Sequence, residues 1–195
     1  MADGNEENAL AARGGLPMRR PLLLLTLLSA SMVPCVAATD GVPAGWHLAG
    51  DHPENYRTGA DANGVAFLFS TPGSSGAGFG TLMKSVPGDE YRGKRVRFSA
   101  LVRSDDVAEW AGLWMRVDEG ANVVAFDNMQ SRPIKGTTPW HTYQVVLDVP
   151  PEATRIAFGE LVVSSGRLWM SHASVEVVGM DVPTTAHPIT PHPLQ

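Results

Sequence analysis

Two stretches, KRVRFSALVR at residues 94–103 and WAGLWMRVD at residues 110–118, decide how this chain folds. In the first, Val96, Phe98, Ala100 and Val102 occupy every second position, with Arg97 and Ser99 among the residues between them. Successive side chains of a β-strand point to opposite faces, so this spacing turns one face to a core and the other to water. In the second stretch Ala111, Leu113, Met115 and Val117 form one face, and Gly112, Trp114, Arg116 and Asp118 form the other. Tyr143, Val145, Leu147 and Val149 repeat the pattern further on. Between residues 41 and 178 no run of about a dozen residues keeps the 3.6-residue period of a packed helix, and the reading is all-β.

Strands are expected near residues 65–70, 77–86, 94–103, 110–118, 122–129, 139–149, 154–163 and 166–178, with another around 44–48. Turn residues mark the breaks: Pro72 with Gly73, Pro87 with Gly88, Glu119 with Gly120, Pro150 with Pro151, and Ser165 with Gly166. The 20 glycines and 15 prolines of the 195 residues agree with many short strands and turns. Eight or nine strands without a blade-like repeat point to a two-sheet antiparallel jelly-roll sandwich, with an immunoglobulin-like sandwich as the alternative. The domain is expected over residues 39–179, as one core. Residues 180–195 hold Pro183, Pro188, Pro191 and Pro193 and few apolar side chains, and are expected to be a disordered tail.

The start of the chain reads differently. Arg19 and Arg20 precede an apolar stretch from Leu22 to Val33, and Val36, Ala37 and Ala38 follow. A positive segment, an apolar segment of about a dozen residues and a small-residue end form the outline of a bacterial signal peptide. The apolar stretch is shorter than the roughly 20 residues a membrane-spanning helix needs. Residues 1–38 are therefore expected to be an extension plus a signal peptide, with translation starting at Met1 or at Met18, and the mature domain to be exported without stable membrane insertion. The single cysteine, Cys35, falls in that leader, so the domain has no disulfide to lean on. Val33 and Pro34 before it are not the small residues that a lipid-attachment signal places there.

A net charge of −5 supplies no electrostatic reason for a nucleic-acid or anionic-membrane partner. The basic group Arg92, Lys94, Arg95 and Arg97, with Arg103 beyond, alternates with Val96 and Phe98 as the solvated face of a strand does. The histidines have no metal-ligand spacing, and His47 and His52 with Asp51 and Glu54 are a loop grouping only. Gly73, Ser74, Ser75, Gly76 and Ala77 lack the last glycine of a nucleophile elbow and open no helix, so they read as a loop. Asp118, Asp127 and Glu160 are the carboxylates that a glycosidase pair would draw on.

The candidate site lies on the second face of residues 110–118. Trp114, Arg116 and Asp118 put an aromatic plane, a guanidinium and a carboxylate on one strand face, as sugar recognition does. The alternative is a tryptophan shielding an Arg116–Asp118 ion pair. The next strand adds Asp127 and Asn128, and Arg132 follows it.

With the strands placed, residues 41–178 resemble the galactose-binding-like jelly rolls that serve as carbohydrate-binding modules. Gly45-Trp46, the turn Tyr91-Arg92-Gly93-Lys94 leading into Val96-Arg97-Phe98-Ser99-Ala100, the stretch Trp140 to Tyr143, and Leu168-Trp169-Met170 carry the resemblance. It implies a face formed by the middle strands, with Trp114, Arg116, Asp118 and Asp127 as contacts to a carbohydrate or another small polar ligand. Ser171 and His172 stand where many such modules have an aspartate that helps to hold calcium, so neither calcium nor any other cofactor is expected. The expected function is a secreted, non-catalytic binding domain. A cell-surface structural or interaction domain is the alternative, and a glycoside hydrolase-like enzyme a distant one.

Overall fold

The computed structural model describes residues 39–73 and 78–186. The expected leader, residues 1–38, and with it Cys35, lies outside the described residues. Ten strands follow in chain order: β1 (Thr39–Asp40), β2 (His47–Gly50), β3 (Tyr56–Ala60), β4 (Ala66–Ser70), β5 (Phe79–Pro87), β6 (Arg95–Glu119), β7 (Asn122–Asp127), β8 (Ile134–Asp148), β9 (Arg155–Val163) and β10 (Arg167–Val178). The described residues hold no α-helix, only two 3₁₀ turns at Pro53–Asn55 and Asp89–Tyr91. All pairings are antiparallel, in the order β1-β3-β4-β10-β6-β9-β5-β2, with β7 and β8 also paired to β6.

β6 explains why this is one hydrogen-bonded sheet. The expected strands at 94–103 and 110–118 are a single strand of 25 residues. Its first half, from Arg95 to Asp105, pairs with β10 on one side and β8 on the other. Its second half, from Trp110 to Asp118, pairs with β9, and its last residues also pair with β7. The register to β8 slips three times between Val102 and Ala111, and Asp106 takes a positive φ of 52°. Such irregularities bend a strand and re-aim its side chains, which lets β6 serve two sets of neighbours.

The alternation places the core where the sequence reading put it. Val96, Phe98, Ala100 and Val102, and Ala111, Leu113, Met115 and Val117, are all buried in one apolar cluster with Val145, Leu147, Ile156 and Phe158. The ring of Phe98, from the first half of β6, lies 4.9 Å from that of Phe158 on β9, so the sheet closes over its own apolar face. Full burial of a side chain of this size contributes about 1.5–3 kcal/mol. The outward arginines form ion pairs: Arg97 with Glu176 on the solvated face, and Arg95, largely covered, with Asp148.

β3 had no expectation in the sequence. It is five residues long, contains Gly59 and carries only one large apolar side chain, Tyr56. That ring is locked by its surroundings, because Gly80 has no Cβ to collide with it and the hydroxyl donates to the carbonyl of Ser164 at 2.8 Å. Residues 180–186 are held more firmly than their composition suggests. Arg95 donates to the carbonyls of Met180 and Val182, and Thr185 exchanges hydrogen bonds with the backbone of Val146. The rest of the expected tail, from His187, lies outside the described residues.

Candidate functional site

The strands β2, β5, β9, the second half of β6, and β7 lie side by side, and their core-facing residues alternate with a second apolar set on the opposite face. On β9, Ile156, Phe158 and Val162 belong to the main core, whereas Ala157, Leu161 and Val163 pack with Trp114, Trp110, Met83 and Phe126. The antiparallel register turns this outer set into rows. Phe79, Val163 and Trp110 stand opposite one another in one row, Thr81, Leu161 and Gly112 in the next, and Met83, Gly159 and Trp114 in the third. Arg116 stands opposite Phe126 of β7 and Ala157 of β9 in the fourth.

These rows surround a cavity of about 420 Å³. Its wall is aromatic and aliphatic, from Phe79, Met83, Trp110, Trp114, Phe126 and Leu161, with Val163 and the β2 residues Ala49 and Gly50 at its margin. Among the described residues, the polar side chains that line it are those of Thr81, Arg116 and Asn128, with no carboxylate. Among the described residues, no three His, Cys, Asp or Glu side chains are grouped so as to hold a metal ion.

Trp114 is only 7% exposed yet lines the cavity, so it is both a packed residue and a wall. Its indole N–H donates to the hydroxyl of Thr81 at 2.7 Å, and that hydroxyl donates to the backbone carbonyl of Glu160 at 2.7 Å. Both ends of the bridge lie on adjoining strands, which fixes the ring and uses up the threonine. Gly112 positions another wall residue. A Cβ there would lie 2.9 Å from Cβ of Met129 and 3.2 Å from the carbonyl of Asn128, so its absence lets the chain after β7 cross close by and bring Asn128 to the cavity.

The six residues singled out in the sequence divide into two groups. Trp114, Arg116 and Asn128 line the cavity together. Asp118, Asp127 and Arg132 do not; they are held in ion pairs beside it. The carboxylate of Asp118 is buried between Arg155, whose Nη2 lies 2.7 Å away, and Arg116, whose Nε lies 2.8 Å away. The pairing with Arg116 is close but poorly aligned as a hydrogen bond at Nε, and Nη2 makes the directed contact at 3.2 Å. Asp127 is bound bidentately by Arg132 at 2.6 and 3.1 Å and accepts the backbone N–H of Met129 at 2.9 Å. Burial pushes the Asp127 carboxyl up, but hydrogen bonds from Arg132, Thr185 and Met129 outweigh it, and the group is held below its ordinary value.

Glu160, the third carboxylate of the glycosidase reading, faces away from the cavity. It is fully buried, both carboxylate oxygens lack a hydrogen-bond partner, and burial pushes its pKa up to about 8. At Ser171 and His172, where the calcium question arose, the imidazole is exposed and contacts the serine hydroxyl at 3.1 Å.

The sequence reading missed Phe79, Thr81, Met83, Trp110, Leu161 and Val163 as site residues. One available signal was β9 itself, RIAFGELVV, in which Leu161 to Val163 are apolar on both faces. A strand with one solvated face would not be so.

No family model matches this chain. A curated relative from Bacillus subtilis (strain 168), the uncharacterized HTH-type transcriptional regulator YbfP, is 41% identical over 148 residues, covering 72% of this chain and 50% of the relative. The chain thus spans about half the length of that relative. A helix-turn-helix needs two α-helices, and the described residues contain none. Among solved structures, the Stig cyclase Fisc from Fischerella sp. TAU aligns at 11% identity and a TM-score of 0.52, over 76% of this chain and 92% of its own. A carbohydrate-binding module, CBM4, aligns at 14% identity and a TM-score of 0.46, over 68% of this chain and 86% of its own. Likenesses at such identities concern the fold alone, and this chain shares that of the cyclase.

Proposed function

We propose that this chain is a non-catalytic binding domain that takes a small ligand with an extended apolar face, carbohydrate included, into the cavity on the outer face of β5, β9 and β6. The observation that carries the reading is the wall itself: aromatic and aliphatic side chains gathered on the sheet face opposite the core, around a volume within the usual range for small-molecule sites. Apolar residues that line a cavity gain from a ligand what core residues gain from one another. We describe the folded-over sheet as a two-sheet jelly roll, with β6 as the strand shared by both sheets.

The ligand contacts in this reading are Trp114 and Arg116 on β6 and Asn128 after β7, joined by Trp110 and Phe79. Asp118, Asp127 and Arg132 hold the frame in which those residues stand. Phe79 is the best residue to test, being 37% exposed and at the margin of the wall. A glycan array and a panel of small aromatic compounds, each run with the wild type and Phe79→Ala, examine the proposal. Binding by the wild type and loss of it in a variant that melts normally support it. Retained binding in Phe79→Ala together with Trp110→Ala places the ligand elsewhere and refutes it.

Two settings follow. The stretch from Arg19 to Ala38 supports export of the mature domain, and mass spectrometry of the protein from its native host would find the chain beginning near residue 38 or 39. The likeness to a regulator from Bacillus subtilis favours a second setting, in which the domain is the ligand-sensing half of a longer protein inside the cell. An intact leader on soluble cytoplasmic protein decides for the second.

A further inference from the structure

The charges at the Arg116 end of the cavity do not cancel. Arg116 and Arg155 both turn to the one carboxylate of Asp118, so this cluster has two cations and one anion. Asp118 is the buried member, and Arg155 engages it through both Nε and Nη2, at 2.9 and 2.7 Å. Both contacts go to Oδ2, while Nε of Arg116 lies 2.8 Å from Oδ1, so two guanidiniums share one carboxylate and the cluster keeps a net positive charge on the side where Arg116 lines the cavity. The nearby carboxylate of Asp127 cannot supply the balance, because Arg132 grips it from both oxygens. Among the described residues that line the cavity, Arg116 is the one with a charged side chain. Its Nη1 has no protein partner among the described residues, whereas the neighbouring donors are spent: the indole N–H of Trp114 on Thr81, and the hydroxyl of Thr81 on Glu160.

We infer that the ligand of this cavity is a small anion with a flat apolar body, an aromatic or similarly planar acid, whose body lies among Trp110, Trp114 and Phe126 and whose carboxylate meets Nη1 of Arg116. This rests on the cavity being a binding site and adds the charge of its occupant. A neutral ligand would shield from water a cluster of two cations and one anion and offer no charge in return, which costs free energy. An anion removes that cost and adds a charge-assisted hydrogen bond in a place sheltered from water. The amide of Asn128 stands on the same wall as a further polar contact.

The probes are 2-naphthoate and its neutral counterpart 2-naphthamide, titrated against the full chain by tryptophan fluorescence and by calorimetry. The wild type should bind naphthoate about tenfold or more tightly than naphthamide, a difference typical of one charge-assisted hydrogen bond. Raising the salt to about 0.5 M should weaken naphthoate and leave naphthamide nearly unchanged. Arg116→Gln should bring the two affinities together, by weakening naphthoate much more than naphthamide. The salt series needs no variant, so it decides the matter even where Arg116→Gln fails to fold. Equal, salt-independent binding of the two probes overturns the anion inference and leaves the binding site standing. Binding of neither probe overturns the inference; if no neutral glycan or aromatic compound binds either, the binding-site reading falls with it.

Discussion

β9 has two apolar faces with different fates, and comparing them separates what holds this protein together from what it offers to others. The inner residues Ile156, Phe158 and Val162 are covered by side chains from both halves of β6 and from β8. Among the described residues, the outer residues Leu161 and Val163 pack with their own sheet neighbours and look into the cavity. Among the described residues, the inner face also holds Glu160, fully buried with no hydrogen-bond partner for its carboxylate, whereas the buried polar groups of the outer face, Thr81 and Asp118, are bonded to Trp114 and Arg155. Apolar surface alone therefore does not distinguish core from site; what distinguishes them is whether the protein supplies the opposite wall.

The largest effects should come from the inner face. Phe98→Ala empties the centre of the core against Phe158 and should cost about 3–5 kcal/mol of stability in denaturant titration, with ligand binding lost only through unfolding. The corresponding truncation on the outer face, Phe79→Ala, should cost well under about 1.5 kcal/mol, since the side chain is already partly in water, and should still abolish binding. A large destabilisation from the second change would mean that the outer set is a second core.

Glu160 sharpens the same contrast through pH. Its carboxyl is raised in the folded state and ordinary in the unfolded one, so the unfolded chain releases the proton first as pH rises. Stability should be full below about pH 4.5 as far as this group is concerned, fall between there and about pH 8, and lose nothing further above. Glu160→Gln keeps the shape and removes the titration. It should flatten that decline and gain roughly 3–5 kcal/mol at pH 8, read from melts across the pH range. An unchanged pH profile would show that the carboxyl finds a partner. Asp127 runs the other way: its lowered pKa stabilises the fold at neutral pH, and that contribution disappears as pH falls through its folded value.

The smallest effect belongs to the other set of strands, on β6 and β10. Arg103 lies 3.6 Å over the ring of Trp169 and 5.5 Å from that of Trp140, a cation–π stack on the protein surface. Arg103→Gln should cost about 0.5–1 kcal/mol in a thermal melt and leave naphthoate binding as it was. Altered binding would place the ligand on this surface instead.

The strands and their core faces were legible because alternation is a local signal: Val96 to Val102 and Ala111 to Val117 state their faces without reference to the rest of the chain. The join at Asp106 was not legible, since a bulged bend leaves no apolar period of its own. The site was half legible for a related reason. Trp114 and Arg116 announce a mixed face on one strand, but the wall also needs β5 and β9, and only the cross-strand register brings them beside β6. Thr81 meets Trp114 across 33 positions of sequence, and Arg155 meets Asp118 across 37. No spacing along the chain reports such pairings, so the role of Asp118 as a partner of Arg155 could not be separated from that of a ligand contact.

Methyl-labelled protein titrated with 2-naphthamide and followed by NMR tests the central claim most directly, because it reads both faces of β9 in one spectrum. Shifts are expected at Met83, Leu161 and Val163, with Leu82, Leu113 and Val162 nearly still. Shifts spread equally over both sets, or none at Met83, Leu161 and Val163 while the compound binds, would contradict it.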